Sequence, residues 1–238
     1  MIISSVKNDK IKEISKLYDK KYRKENGLFI VEGRHLVKEA YKNNLLECVY
    51  AIKESGYKNE VIVTDNVMKK ITSLNSVPDI IGICKFKPEM EIGNKVLILD
   101  NIQDPGNLGT IIRSAVAFNI DTIVLSNDTV DLYNPKVIRA TEGMMFNINI
   151  ITRDLYNFII TLKNNNYKIY STNVKNGNNL KNVLKCDKYA IIMGNEGCGV
   201  KECLQELCDE MIYIKMNNLC ESLNVAVATS IILYEFSK

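Results

Sequence analysis

Three segments of the chain set polar side chains beside glycines at spacings that suit chemistry. The first is Asp104-Pro-Gly-Asn-Leu-Gly-Thr-Ile-Ile-Arg113. Asp104-Pro-Gly turns the chain, and a helix is expected to begin near Asn107. The free N–H groups of a helix start favour an anion or an oxygen gathering negative charge. A helical Arg113 leans back over residue 109. That residue is glycine, so nothing covers the guanidinium stem and its charge is expected to reach the same cleft. Ordinarily such an arginine is a solvated surface group. The second segment, Ala190-Ile-Ile-Met-Gly-Asn-Glu-Gly-Cys-Gly-Val200, runs a buried strand into a loop in which Glu196 is the charged group. Its glycines let backbone approach a ligand closely. Their order is GxxGxG and no acidic ribose partner follows, which argues against a dinucleotide enzyme. The third segment runs from Met211 to Ala228, where either Ser222 or Asn224 suits a helix N-cap. Spacing alone does not separate a cap from a substrate-orienting group.

These loops need a frame. Apolar runs at 95–99, 122–125, 167–170, 189–193 and 211–214, with helix-length segments between them, read as a parallel sheet covered on both faces. Ligands of such sheets bind at the carboxyl ends of the strands, where all three segments begin. Upstream, runs at 28–31, 47–52, 61–63 and 80–84, with helices starting after Gly33 and near 65–72, form a smaller α/β unit. Polar residues 85–94, with Pro88 and Gly93, are the linker. The expected domains are therefore 1–88 and 94–238.

Composition narrows the classes. The chain has 238 residues, 46% apolar and 25% charged, with 12 glycines and 4 prolines, as in a globular protein. It has no long apolar run and no apolar start typical of a secretory signal, so a soluble, cytoplasmic protein without a membrane partner is expected. Seven cysteines lack zinc-ligand spacing, so no metal is expected and the thiols read as reduced and mostly buried. The single histidine, His35, reads as structural and argues against a Ser-His-Asp scheme. Residues 1–26 hold eight bases against four acids, a larger surplus than the whole chain's +3. A basic helix carrying Lys12, Lys16, Lys20 and Arg23 suits a phosphate backbone. Its plainer reading is an amphipathic helix with Ile11, Ile14 and Leu17 facing inward.

The motifs Asp104–Arg113, Met193-Gly-Asn-Glu-Gly-Cys-Gly199 and Glu221-Ser-Leu-Asn-Val-Ala226, in this order, resemble those of the SpoU/TrmH family of S-adenosylmethionine-dependent RNA ribose 2′-O-methyltransferases. Tyr133-Asn-Pro-Lys-Val-Ile-Arg-Ala140 followed by Gly143 is a weaker match. Gly27-Leu-Phe-Ile-Val-Glu-Gly-Arg34 resembles the family's substrate-binding extension, which has the fold of a small ribosomal RNA-binding protein. The resemblance implies an α/β C-terminal parallel-sheet domain with a deep trefoil knot, behind a small α/β RNA-binding domain, in an obligate homodimer. It implies S-adenosylmethionine held at Gly194, Ile214 and Leu223, and catalytic-site residues Arg113, Asn107, Glu196, Ser222 and Asn224. Arg34, Lys136 and Arg139 join the basic N-terminal residues as RNA contacts. Lys215 departs from the family's usual proline. Ribosomal RNA is favoured as substrate, with transfer RNA, or a catalytically silent RNA-binding protein of the same fold, as alternatives.

Overall fold

Short β-branched runs form the strands, and capped amphipathic segments form the helices. In the computed structural model, which describes residues 2–174 and 176–238, the first elements are β1 (Ile2–Ile3), α1 (Asp9–Lys16), α2 (Lys20–Asn26), β2 (Leu28–Glu32), α3 (Arg34–Lys42), β3 (Leu46–Ala51), β4 (Glu60–Val63), α4 (Asp65–Ile71) and β5 (Ile80–Lys85). After residues 86–94 come β6 (Lys95–Leu99), α5 (Pro105–Ala117), β7 (Thr122–Leu125), α6 (Pro135–Ala140), β8 (Asn149–Thr152), α7 (Leu155–Asn164) and β9 (Lys168–Thr172). The chain ends with β10 (Asn178–Asn179), β11 (Tyr189–Met193), α8 (Glu202–Gln205), β12 (Glu210–Tyr213) and α9 (Val225–Ser237).

Two compact units result. The first comprises the chain through Pro88 together with Asp131–Phe146, and the second comprises Glu89–Val130 and Asn147–Lys238. Residues 131–146, which the sequence reading assigns to the second domain, thus pack in the first unit. Tyr133 explains why. Its ring stacks on Phe86 at 4.0 Å and lies 4.7 Å from Phe29, anchoring the segment in an aromatic cluster.

In the first unit a mixed sheet runs β1-β4-β3-β5-β2, with β2 and β3 antiparallel to β5. Helices α1 and α4 bury Ile11, Ile14, Val67, Met68 and Ile71 with sheet residues Ile30, Ile81 and Ile83. Each such aliphatic side chain contributes roughly 1.5–3 kcal/mol through burial. The expected basic helix breaks into two, because Asp19 caps α2 by accepting from the N–H groups of Lys21 and Tyr22.

In the second unit seven parallel strands run β10-β12-β9-β11-β6-β7-β8. On one face Val96, Ile98, Ala190 and Ile192 pack against α7 residues Phe158, Ile159 and Leu162. The alternate residues Leu97, Leu99, Ile191 and Met193 are equally buried, as a sheet covered on both faces requires. The five strands expected here all form. The sequence reading missed β8 and the two-residue β10. Strands β6 and β11 are direct neighbours, with Leu99 opposite Met193. From β6 the chain moves to β7 and β8 on one side, and from β11 it moves to β12 on the other, so the order reverses between them. Ligand sites of open parallel sheets lie at such a reversal.

Candidate active site

Because β6 and β11 end side by side, the loops that follow them meet. Asp100 N–H donates to Met193 O at 2.9 Å, and Asn195 Nδ2 donates to Asn101 O at 2.8 Å. Helix α5 starts two residues earlier than expected, at Pro105. Asp104 is its cap and accepts from Asn107 N–H at 2.8 Å. The N–H groups of Gln103 and Asp104, just ahead of the helix, are engaged within the chain. Both donate to the Glu196 carboxylate, at 3.3 Å.

Glu196, Asn107 and Asn224, one from each segment, form a single chain of hydrogen bonds. Asn107 Nδ2 donates to Glu196 Oε1 at 3.1 Å, and its Oδ1 accepts from Asn224 Nδ2 at 2.9 Å. Asn224 also caps α9, accepting from Ala226 and Val227 N–H, so cap and bridge are one residue. Burial pushes the Glu196 pKa up, but the hydrogen bonds from Asn107 and from backbone N–H groups outweigh it and hold the carboxyl below its ordinary value. Glu196 is therefore an ionised acceptor that organises the loop, and a poor proton acceptor for a substrate.

The glycine loop is tightly folded. Asn195 and Gly199 exchange backbone hydrogen bonds at 2.9 and 3.0 Å, and Asn195 Oδ1 accepts from Gly197 and Cys198 N–H. A Cβ on Gly194 would lie 2.1 Å from the backbone of Gly199 and Val200, so only glycine fits. Sequence reading missed Asn195, although an asparagine side chain in a loop commonly accepts from backbone N–H groups two residues on.

Beside this loop lies a cavity of about 310 Å3, lined by the ends of β9, β11 and β12 and the start of α9. Gly194, Ile214 and Leu223, the expected cofactor residues, all line it, as do Glu196 and Ser222. Ile212, Val225 and Ile232 add apolar wall. Apolar walls joined to a glycine backbone fit a flat heterocycle with a polar edge and a short chain, which is the shape of S-adenosylmethionine.

Arg113 stands apart. It lies in the third turn of α5, is exposed, and forms no hydrogen bond or ion pair among the described residues. It does not line the cavity. The next residue, Ser114, faces α9 and bonds Ser230 Oγ at 2.7 Å. Ser222 is exposed and stays outside the Glu196–Asn107–Asn224 chain.

The cations of the first unit divide sharply. Arg23 is 4% exposed. It donates to Leu17 O at 2.8 Å and pairs with Asp131, so it is a structural group and not an available phosphate contact. Arg139 donates to buried Glu32 at 3.1 Å, and Glu32 also accepts from Tyr18, Thr72 and Ser73. Arg34 pairs with Asp79, Lys12 with Asp9 and Lys16 with Glu13, all in exposed positions. Lys20 and Lys136 are exposed and make no ion pair among the described residues. His35 bonds Glu142 O within the first unit, in keeping with a structural role. The thiols are free, but of the seven Cys84 alone is buried, so the expectation of mostly buried cysteines is corrected. Among the described residues no group suits a metal ion, and no helix is long and apolar enough to cross a membrane.

Residues 94–234 match the SpoU rRNA methylase family, and residues 8–82 match a substrate-binding domain described as MRM3-like. A 23S rRNA (guanosine(2553)-2′-O)-methyltransferase of Bacillus subtilis, RlmP, is 34% identical over 98% of this chain and 97% of its own. The AdoMet-bound rRNA methyltransferase of Sinorhizobium meliloti superposes with a TM-score of 0.88 at 27% identity, covering 99% of this chain and 97% of that one. AviRb of Streptomyces viridochromogenes, also AdoMet-bound, shares the fold at 19% identity and a TM-score of 0.86, over 97% of each chain.

Proposed function

The chain belongs to the SpoU rRNA methylase family, and from that premise we propose that it transfers a methyl group from S-adenosylmethionine to a ribose 2′-hydroxyl of ribosomal RNA. The observation that carries the reading is the bridge from Glu196 through Asn107 to Asn224, which ties the three motifs around one cavity. A silent RNA-binding relative would have no need of these polar groups beside an apolar cavity or of an unpaired Arg113.

S-adenosylmethionine supplies the methyl group on a sulfonium. Gly194, Ile214 and Leu223 hold it by backbone and apolar contact. Glu196, Asn107 and Asn224 fix the loop that presents it, and Ser222 sits on the rim. Positioning is most of the catalytic task. Arg113 is a fixed cation that stabilises the 2′-oxygen as it gains negative charge or clamps the neighbouring phosphate. A guanidinium stays protonated in proteins, so the hydroxyl proton goes to phosphate or water.

The working form in this reading is a homodimer with the family's knotted C-terminal sheet. Helix α9 shows Val227, Ile231 and Tyr234 to solvent, one apolar stripe opposite its buried face. Because α5 packs on α9 and Arg113 lies outside its own chain's cavity, a second copy on that stripe would complete the site. In the first unit Lys12, Lys16, Lys20, Arg34 and Lys136 serve RNA phosphates. Ribosomal RNA as substrate puts the work in the cytoplasm. Mapping ribose methylation in ribosomal and transfer RNA from cells with and without the gene tests the reading. One ribosomal position lost with the gene supports it, and unchanged ribosomal RNA rejects it.

A further inference from the structure

Most of the cations singled out by sequence in the first unit are tied to carboxylates, so its ability to grip RNA is expected to draw on other groups as well. Tyr41, near the end of α3, is the most exposed aromatic side chain among the described residues, at 56%. Its ring meets half-buried Tyr57 edge to face, with centroids 5.2 Å apart and planes at 72°. The pair holds both rings in place, so part of the ordering entropy of a stacking partner is already spent in the free protein.

The loop carrying Tyr57, between β3 and β4, has a built shape. Gly56 and Asn59 take left-handed φ values of 81° and 60°. Ser55 N–H donates to the Glu60 carboxylate at 2.7 Å, and Asn59 Nδ2 donates to Glu47 O at 3.2 Å. Around the rings, Lys38 lies one turn before Tyr41 on α3, and Lys53 and Lys58 flank Tyr57 in the loop. All three are exposed and make no ion pair among the described residues. The nearby acids are mostly engaged: Glu39 pairs with Lys42 and Glu47 with Lys85, while Glu60 takes Ser55. Glu54 is the exposed acid left over.

We propose that Tyr41 and Tyr57, with Lys38, Lys53 and Lys58, form a binding patch for single-stranded RNA, in which an unpaired base stacks on the tyrosine pair and the lysines hold the flanking phosphates. Exposed rings among unpaired lysines are what single-strand binders offer, since every base has a π face and every nucleotide a charge. A protein partner fits less well, because the patch is small and its free charges are mainly of one sign. The proposal rests on the methyltransferase reading only for the identity of the polymer.

Fluorescence anisotropy of the full-length protein with a short labelled oligouridylate, and with a duplex RNA of equal length, tests it. Tyr41→Leu is expected to weaken oligouridylate binding about tenfold, within the range for losing one stacked base. Duplex binding and melting temperature are expected to stay as in the wild type, and Tyr41→Phe to bind normally because the ring, not the hydroxyl, acts. Lys53→Gln and Lys58→Gln should each flatten the salt slope by roughly 0.7, the single-strand value per phosphate. Undiminished binding by Tyr41→Leu, equal losses on duplex and single strand, or no oligouridylate binding by the wild type overturns the patch. Calorimetry of the same wild-type sample with S-adenosylmethionine keeps the two readings separate. A sample that binds oligouridylate but no S-adenosylmethionine refutes the methyltransferase reading and leaves the patch standing.

Discussion

Two arginines of the first unit and one of the second are used in opposite ways, whereas Arg153 of the second unit pairs with Glu89. In the first unit, Arg23 and Arg139 are matched with Asp131 and Glu32, and Arg23 also donates to Leu17 O and Arg139 to Ser73 Oγ. In the second, Arg113 has no partner at all among the described residues. A buried cation without a counter-charge would be prohibitively costly, so the buried, matched Arg23 marks a place where the fold needs it. An exposed, unmatched one keeps its charge available to something outside the chain. The same contrast holds for carboxylates. Glu32 gathers donors around a buried point of the first unit, whereas Glu196 gathers loop N–H groups at the rim of a cavity.

Substitutions sharpen or break this contrast. The largest stability effect is expected from Glu32→Ala, which strands Arg139, Tyr18, Thr72 and Ser73 together. Chemical denaturation of the first unit should reveal a loss of about 3–5 kcal/mol, the scale of breaking a buried ion pair from one side. A loss under about 1 kcal/mol would place Glu32 with surface pairs. Next comes Gly194→Ala. Its Cβ would meet backbone at 2.1 Å, so the loop must shift. Calorimetric affinity for S-adenosylmethionine should fall by about 1–3 kcal/mol, typical of overpacking, and wild-type affinity would show that the loop does not shape the cofactor site.

The smallest effect is a flat one. Since hydrogen bonds hold the Glu196 pKa below its ordinary 4.5, the stabilisation it provides is fully present above that value and disappears as pH falls through the lowered one. Glu196→Gln should therefore leave the shape of the activity profile between pH 6 and 8 unchanged. A new inflection there would make Glu196 a titrating participant in the reaction.

Much of this was legible in the sequence, and the failures have physical causes. Runs such as Lys95–Leu99 and Tyr189–Met193 announce buried parallel strands. The motif residues Glu196, Asn107 and Asn224 were named, but their hydrogen-bonded chain depends on β6 and β11 being neighbours, which no local pattern encodes. Asn149–Thr152 is too short and too polar at its ends to stand out as a strand. Arg23 misled because a basic run looks alike whether its charges face solvent or an aspartate more than a hundred residues away. Residues 131–146 misled for a related reason: the ring of Tyr133, not chain order, decides where they pack.

The central claim is that Arg113 serves the reaction and not the fold. Methyl transfer from labelled S-adenosylmethionine to ribosomal RNA, compared between wild type and Arg113→Ala at saturating cofactor, tests it most directly. The account predicts a rate lower by roughly a hundredfold or more, as for the loss of one preorganised donor, with melting temperature and cofactor affinity unchanged and incomplete rescue by Arg113→Lys. A variant as active as the wild type, or one that loses activity because it unfolds, would contradict it.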